Sequence, residues 1–254
     1  MGADHGMTEL SITGDPRTAD GVIERDFALH GVPGILWLPE LPAATAPLLL
    51  LGHPGGLEGM RARLRGRAQA AAVSGFASAA IELPGSGERT PIPGVQEARG
   101  EVRAALQAGE PLSADTIDRL ILPLVEASVP EWRTLIDALQ ALPEIGGPVG
   151  YAGGVISIGV RLARIEPRVV AAGLFAGSFV PRAILAEARE VTIPLHVLLQ
   201  WDDVGNDRQA ALDLFDAFGS TEKTLLANMG GHTGVPASAG EHAGHFFERH
   251  LGAV

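Results

Sequence analysis

The stretch APLLLLG (Ala46–Gly52) is apolar at nearly every position and shows no alternation. That is the pattern of a strand buried on both faces, not one with a wet side. After it comes the Gly-rich GHPGGLEG, then MRARLRGRAQAAAVSG, which is helical in period and closes at Gly75 as a C′ glycine. FASAAIEL reads as the next buried strand. Downstream, GPVGYAG, RVVAAGLFAG, IPLHVLLQ and KTLLANM read as further strands. PEWRTLIDALQAL reads as an amphipathic helix with Pro130 in its first turn, and DRQAALDLFDAFG and AGEHAGHFFERHL as two more helices. Repeated strand–helix alternation implies an α/β fold with a mostly parallel central sheet and helices on both faces.

Upstream of this core, VIERDFALHGVPGILWLP predicts two strands around the turn His30-Gly31. Residues 1–20 are polar and without pattern, and are expected to be loose. Residues 21–254 then form a single domain, in which the stretch from about 88 to 130 is expected to be a lid or cap over the strand ends. Its apolar pieces, IPGV and LILPLVEASV, suit an organic, weakly polar substrate.

The 254 residues, 46% of them hydrophobic, are enough for a sizeable core. A net charge of −11 argues against nucleic acid or an anionic membrane as partner. With no cysteine, disulfides and thiolate metal sites are excluded. The start, MGADHGMTEL, has neither a basic nor an apolar signal region, and no apolar run is long enough to span a bilayer. A soluble, cytoplasmic protein is expected, with a homodimer compatible. The histidines and carboxylates show no metal-ligand spacing, and GHPGGLEG lacks dinucleotide-fingerprint spacing, so neither metal nor cofactor is implied.

In such sheets reactive groups gather beyond the carboxyl ends of the strands. The loop His53-Pro54-Gly55-Gly56 follows the first buried strand, and its backbone could approach a ligand oxygen as an oxyanion hole does. Trp201-Asp202-Asp203 follows IPLHVLLQ and offers a carboxylate to orient a histidine. His232 follows two glycines in GGHTGVP, a suitable place for a general base.

Elbow, then acid, then histidine, each at a strand end, is the chain order of α/β-hydrolases. With PLLLLGHPGG, AAIELPGSGER, GPVGYAGG, EPRVVAAGL, LLQWDD and EKTLLANMGGH, the chain resembles that superfamily from about Val22 to Leu251. The likeness is to the dienelactone-hydrolase-like branch common in actinobacteria. It implies that Asp203 is the acid, with Asp202 its neighbour, that His232 is the catalytic histidine, and that the loop after Gly52 gives an oxyanion donor. It implies a small carbonyl-containing substrate.

The resemblance breaks at GYAGGVISIG (150–159). Against G-x-S-x-G, Gly153 takes the first glycine, Gly154 the next place, Val155 the serine's place, and Ser157 that of the second glycine. Val155, Ile156 and Ile158 would crowd a strained elbow centred on Ser157. The elbow is thus read as degenerate. Three functions follow: a serine esterase, thioesterase or lactonase using Ser157, His232 and Asp203; a non-hydrolytic lyase, isomerase or cyclase using His232 and Asp203 for acid/base work; and a silent binder that keeps the pocket only. Gly154, Val155, Ile156 and Trp201 are expected to line that pocket in each case. The second is narrowly preferred, because a base and an oxyanion loop without a placed serine still suffice for proton transfer.

Overall fold

The computed structural model describes residues 10–41 and 45–252. In chain order these form β1 (Leu10–Ile12), β2 (Arg17–Ala19), β3 (Val22–Leu29), β4 (Val32–Pro39), β5 (Ala46–Gly52), α1 (Leu57–Val73), β6 (Ala77–Ile81), α2 (Val95–Ala108) and α3 (Ala114–Gln140). There follow β7 (Ile145–Gly153), α4 (Ile156–Ile165), β8 (Val169–Phe175), α5 (Arg182–Ala188), β9 (Leu195–Gln200), α6 (Arg208–Ala217), β10 (Lys223–Asn228) and α7 (Ala237–Leu251). One sheet runs in the order β1-β3-β4-β6-β5-β7-β8-β9-β10, with β2 also on β3. From β6 to β10 the pairs are parallel; β4 is antiparallel to both β3 and β6.

β5 shows why its sequence lacks alternation. Leu48 and Leu50 enter the core on one face, with residues of α3 and α4, while Leu49 and Leu51 enter the core on the other, with residues of α1 and α7. Side chains alternate across a strand, so both faces must be apolar when both are covered. β6 is small throughout (ASAAI) and buried at every position. The first turn of α1 has no cap from its own N-cap residue, Gly56. Instead Glu82, just past β6, accepts the Leu57 N–H at 3.0 and 3.1 Å, placing a carboxylate at the positive end of the helix. At the other end Gly75 has φ +80° and Phe76 N–H bonds back to Ala71 O, so the helix stops as the sequence indicates.

Three expectations change. Of residues 1–20, expected loose, 10–12 and 17–19 form strands paired with β3; residues 1–9 lie outside the described residues. Pro130 does not open a helix but sits inside α3, as does Pro123. An internal proline costs about 3 kcal/mol. Against this, α3 buries Ile121, Leu124, Val125, Val129, Trp132, Leu135, Ile136 and Leu139 at helical spacing, each worth about 1.5–3 kcal/mol. Burial outweighs the two prolines, and the helix continues. The 88–130 stretch is α2 packed on the first half of α3, and none of its residues lines the cleft described below. No helix of the described residues is long and apolar enough to cross a membrane.

Candidate active site

β9 and β10 lie side by side and parallel, so the loops that leave their carboxyl ends meet. Trp201 N–H bonds Asn228 O at 2.8 Å and Asp202 N–H bonds Gly230 O at 3.1 Å, stitching the two loops together. Gln200, almost fully buried, donates from Nε2 to Gly231 O at 3.0 Å. This brings Asp203 Oδ2 to 2.7 Å from His232 Nδ1. The Asp203 side chain is 5% exposed and that of His232 is 50% exposed. An ionised carboxylate only accepts, so Nδ1 carries the hydrogen and the lone pair of Nε2 is left for a proton. Asp203 Oδ1 accepts from Gly205 N–H at 3.3 Å, and the Phe175 ring packs edge-on to His232 at 5.3 Å.

His232 lines a cleft of about 320 Å³ between the ends of β5, β7 and β8 and the helices α1 and α7. Pro54, Gly154 and Val155 line it too. The turn between β7 and α4 is built around two glycines: Gly153 has φ +75° and Gly154 φ +71°. Val155 follows as the N-cap of α4 in extended conformation, φ −73° and ψ 114°. A β-branched residue is poorly tolerated at positive φ, and the two glycines absorb the turn in its place. Ser157 then falls in the first turn of α4. It is fully buried, its Oγ has no hydrogen-bond partner among the described residues, and it does not line the cleft.

Other residues named from the sequence separate into groups. Pro54 lines the cleft but has no N–H, so it cannot donate to an oxyanion. Gly55, Gly56 and Ile156 do not line it. His53 is buried, with Nδ1 2.7 Å from Gly55 O and Nε2 2.9 Å from Ile81 O, so it fastens the loop to the end of β6. Burial pushes its pKa below the ordinary value, against the pull of those carbonyls. Trp201 and Asp202 line a separate groove with Asn206 and Arg208, whose guanidinium lies 4.4 Å over the Trp201 ring.

The cleft also holds Arg63, Arg67, Ser178 and His196, none of them singled out from the sequence as site residues. Arg67 donates to Gly52 O at 2.9 Å and to Ala152 O at 2.7 Å. Burial, and next the charge of Arg63, lower its pKa to about 10. A signal was present: arginines at 61, 63, 65 and 67 fall in two i, i+4 pairs on different faces of α1. Arg61 and Arg65 bind Glu24, which leaves the other pair for the cleft. Ser178 Oγ is buried without a hydrogen-bond partner.

No family model matches the chain, and no curated protein matches it. Among solved structures it is similar to a cold-adapted esterase from an Arctic intertidal metagenomic library, in a PEG-bound complex. Identity is 26%, covering 95% of this chain and 99% of that one, with a TM-score of 0.75. It is also similar to acetyl xylan esterase 1 from Thermoanaerobacterium sp. (14% identity, 95% and 88% covered, TM-score 0.66) and to TT1662 from Thermus thermophilus (21%, 92% and 99%, 0.62). Together with the mostly parallel sheet and its helices on both faces, these likenesses show that the chain has the α/β-hydrolase fold.

Proposed function

We propose that the protein hydrolyses a small, largely apolar carboxylic ester, with His232 as general acid/base oriented by Asp203. The observation that carries this reading is the 2.7 Å pair of His232 Nδ1 and Asp203 Oδ2 at a cleft with largely apolar walls and two arginines. The 26%-identical esterase supports hydrolysis over the elimination, isomerisation or cyclisation preferred from the sequence. That preference rested on the misplaced serine, and a hydrolase with a general base can use water instead.

In this mechanism a water gives a proton to His232 Nε2 as its oxygen bonds to the ester carbonyl carbon. The carbonyl π electrons move onto oxygen. The positive end of α4, whose N-cap Val155 lines the cleft, favours that developing charge. Collapse breaks the bond to the alcohol oxygen, which takes the proton from Nε2. Asp203 stays ionised and stabilises the intervening imidazolium.

One observation favours a second reading, in which Ser178 attacks instead of water. Its unpartnered Oγ belongs to a residue of the same cleft, and neighbouring Gly177 packs so close to His232 that a Cβ there would lie 3.0 Å from Cε1. The two are separated by 4-nitrophenyl butyrate turnover and by intact mass after fluorophosphonate treatment, in wild type and the His232→Ala, Ser157→Ala and Ser178→Ala variants. The water route expects turnover that is lost in His232→Ala and kept in both serine variants, with no adduct. An adduct lost in Ser178→Ala establishes the second reading, and one lost in Ser157→Ala overturns both. A folded protein inactive on a panel of acyl lengths overturns ester hydrolysis.

A further inference from the structure

Arg67 is a cation in an unusual position. Its guanidinium is partly buried at the wall of the cleft, and its hydrogen-bond partners are two neutral carbonyls, Gly52 O and Ala152 O. The charge of Arg63, beside it on the same helix, repels it. The other half-buried arginines differ. Arg61 and Arg65 on the same helix share Glu24, Arg161 pairs with Glu187, and Arg168 pairs with Glu166 and Asp137. Desolvated charges are ordinarily paired, because leaving one alone costs several kcal/mol.

The cleft as a whole has the same bias. Arg63 and Arg67 line it together with two histidines, and among the described residues no aspartate or glutamate lines it, although the chain has 30 of them. In a protein of net charge −11, a cleft that excludes carboxylates and holds two arginines is a local positive potential. The other walls are apolar: Met60, Leu174, Phe175, Leu198, Val235 and Phe247. Two carbonyl bonds use one hydrogen each on Nη1 and Nη2, and a guanidinium has five, so three remain for a ligand.

We infer that Arg67, with Arg63 beside it, receives a carboxylate of the substrate, so that the ester this cleft takes is a half-ester: an aliphatic acyl chain bearing a free carboxylate besides its ester. The inference deepens the hydrolase reading and rests on it for the word ester; the anion subsite itself does not. A guanidinium and a carboxylate form charge-assisted, often paired hydrogen bonds, and the apolar walls take the methylene chain between the two ends.

The test compares monophenyl adipate with phenyl hexanoate as substrates, and hexanoate, hexanamide and hexyl phosphate as ligands by calorimetry. Wild type is expected to show a kcat/KM ratio of adipate to hexanoate ester of roughly tenfold or more. In Arg67→Met the ratio falls towards one, and in Arg67→Lys it is partly recovered. A wild-type ratio of one or less overturns the inference. So does a ratio unchanged in Arg67→Met, which leaves Arg67 as a tie between β5 and β7, or an equal loss on both esters, which makes it a stabiliser of the oxyanion. Should Arg67→Met fail to fold, Arg63→Met, at an exposed side chain, reads the same ratio and is expected to lower it. If no ester is turned over, the hydrolase reading fails alone: hexanoate binding at least tenfold tighter than hexanamide, lost in Arg67→Met, still upholds the subsite, and equal binding overturns it. Tighter binding of hexyl phosphate than of hexanoate overturns the assignment to a carboxylate.

Discussion

Asp203 Oδ2 lies 2.7 Å from His232 Nδ1 across 29 residues of sequence, and the contact is set by backbone, not by the two side chains alone. The parallel register of β9 and β10 places Gln200 opposite Asn228, and the loops beyond each are bonded to the other. Asp203→Asn keeps the shape but replaces an acceptor by an amide that can present N–H to Nδ1, which favours the wrong tautomer. The expected result is a fall in kcat of roughly 10²–10⁴-fold with little change in KM. Steady-state kinetics on a short-chain aryl ester check it, with circular dichroism to confirm the fold.

Ser157→Ala is expected to leave ester turnover near the wild-type rate and stability unchanged or raised by up to about 1 kcal/mol. The hydroxyl is fully buried and has no hydrogen-bond partner, so its removal relieves a desolvated polar group instead of breaking a contact. Thermal unfolding and turnover of the same preparation decide this. A variant that folds as well as wild type but has lost turnover would return Ser157 to the chemistry.

How much of this was legible depends on what each pattern encodes. The parallel strands were legible because burial on both faces leaves an unmistakable apolar run, as in Ala46–Gly52. Asp203 and His232 were legible because strand ends are where this architecture collects chemistry. β1 and β2 were not, since three residues carry no period and their register comes from pairing with β3, such as Arg17 with Glu24. The continuity of α3 was hidden by two prolines whose cost only tertiary burial outweighs. The role of Arg67 was hidden for a similar reason. Which arginine pair of α1 faces the cleft follows from where Glu24 stands on the neighbouring strand, and the helix sequence does not contain that.

Glu24 makes a second prediction about charge. It is buried on β3 and accepts from Trp37 Nε1 at 2.8 Å, and from Arg17, Arg61 and Arg65, so it joins β2, β4 and α1 to one strand. Burial acts to raise its pKa, but hydrogen bonds from Arg65, Trp37, Arg17 and Arg61 overcome this and hold it at about 2, against an ordinary 4.5. A depressed folded-state pKa gives stability that is complete above about 4.5 and is lost as pH falls from there through about 2. Glu24→Gln is therefore expected to cost about 3 kcal/mol at pH 7. The gap to wild type should narrow between pH 4.5 and 3, as urea titrations at pH 7, 4 and 3 would show.

Two glycine-to-alanine changes test the account of the turn between β7 and α4. At Gly66, inside α1, an added Cβ would meet nothing within 4 Å, so alanine is expected to add about 0.5–1 kcal/mol by helix propensity alone. At Gly154 the φ is +71°, and a Cβ would lie 2.8 Å from Gly52 Cα, 2.9 Å from Gly52 C and 2.9 Å from Tyr151 Oη. Two of those atoms are backbone of the adjacent strand and cannot move aside. Left-handed strain of about 1–2 kcal/mol adds to that overlap, so Gly154→Ala is expected to lower the melting temperature while Gly66→Ala raises it. The same overlap bears on the chemistry. Gly154 holds the turn tight against β5 just before Val155, which takes the serine's place of G-x-S-x-G, and the serine that this stretch does have, Ser157, is buried in α4. Equal melting temperatures for Gly154→Ala and wild type would mean that the turn can open and that the overlap with Gly52 does not fix it.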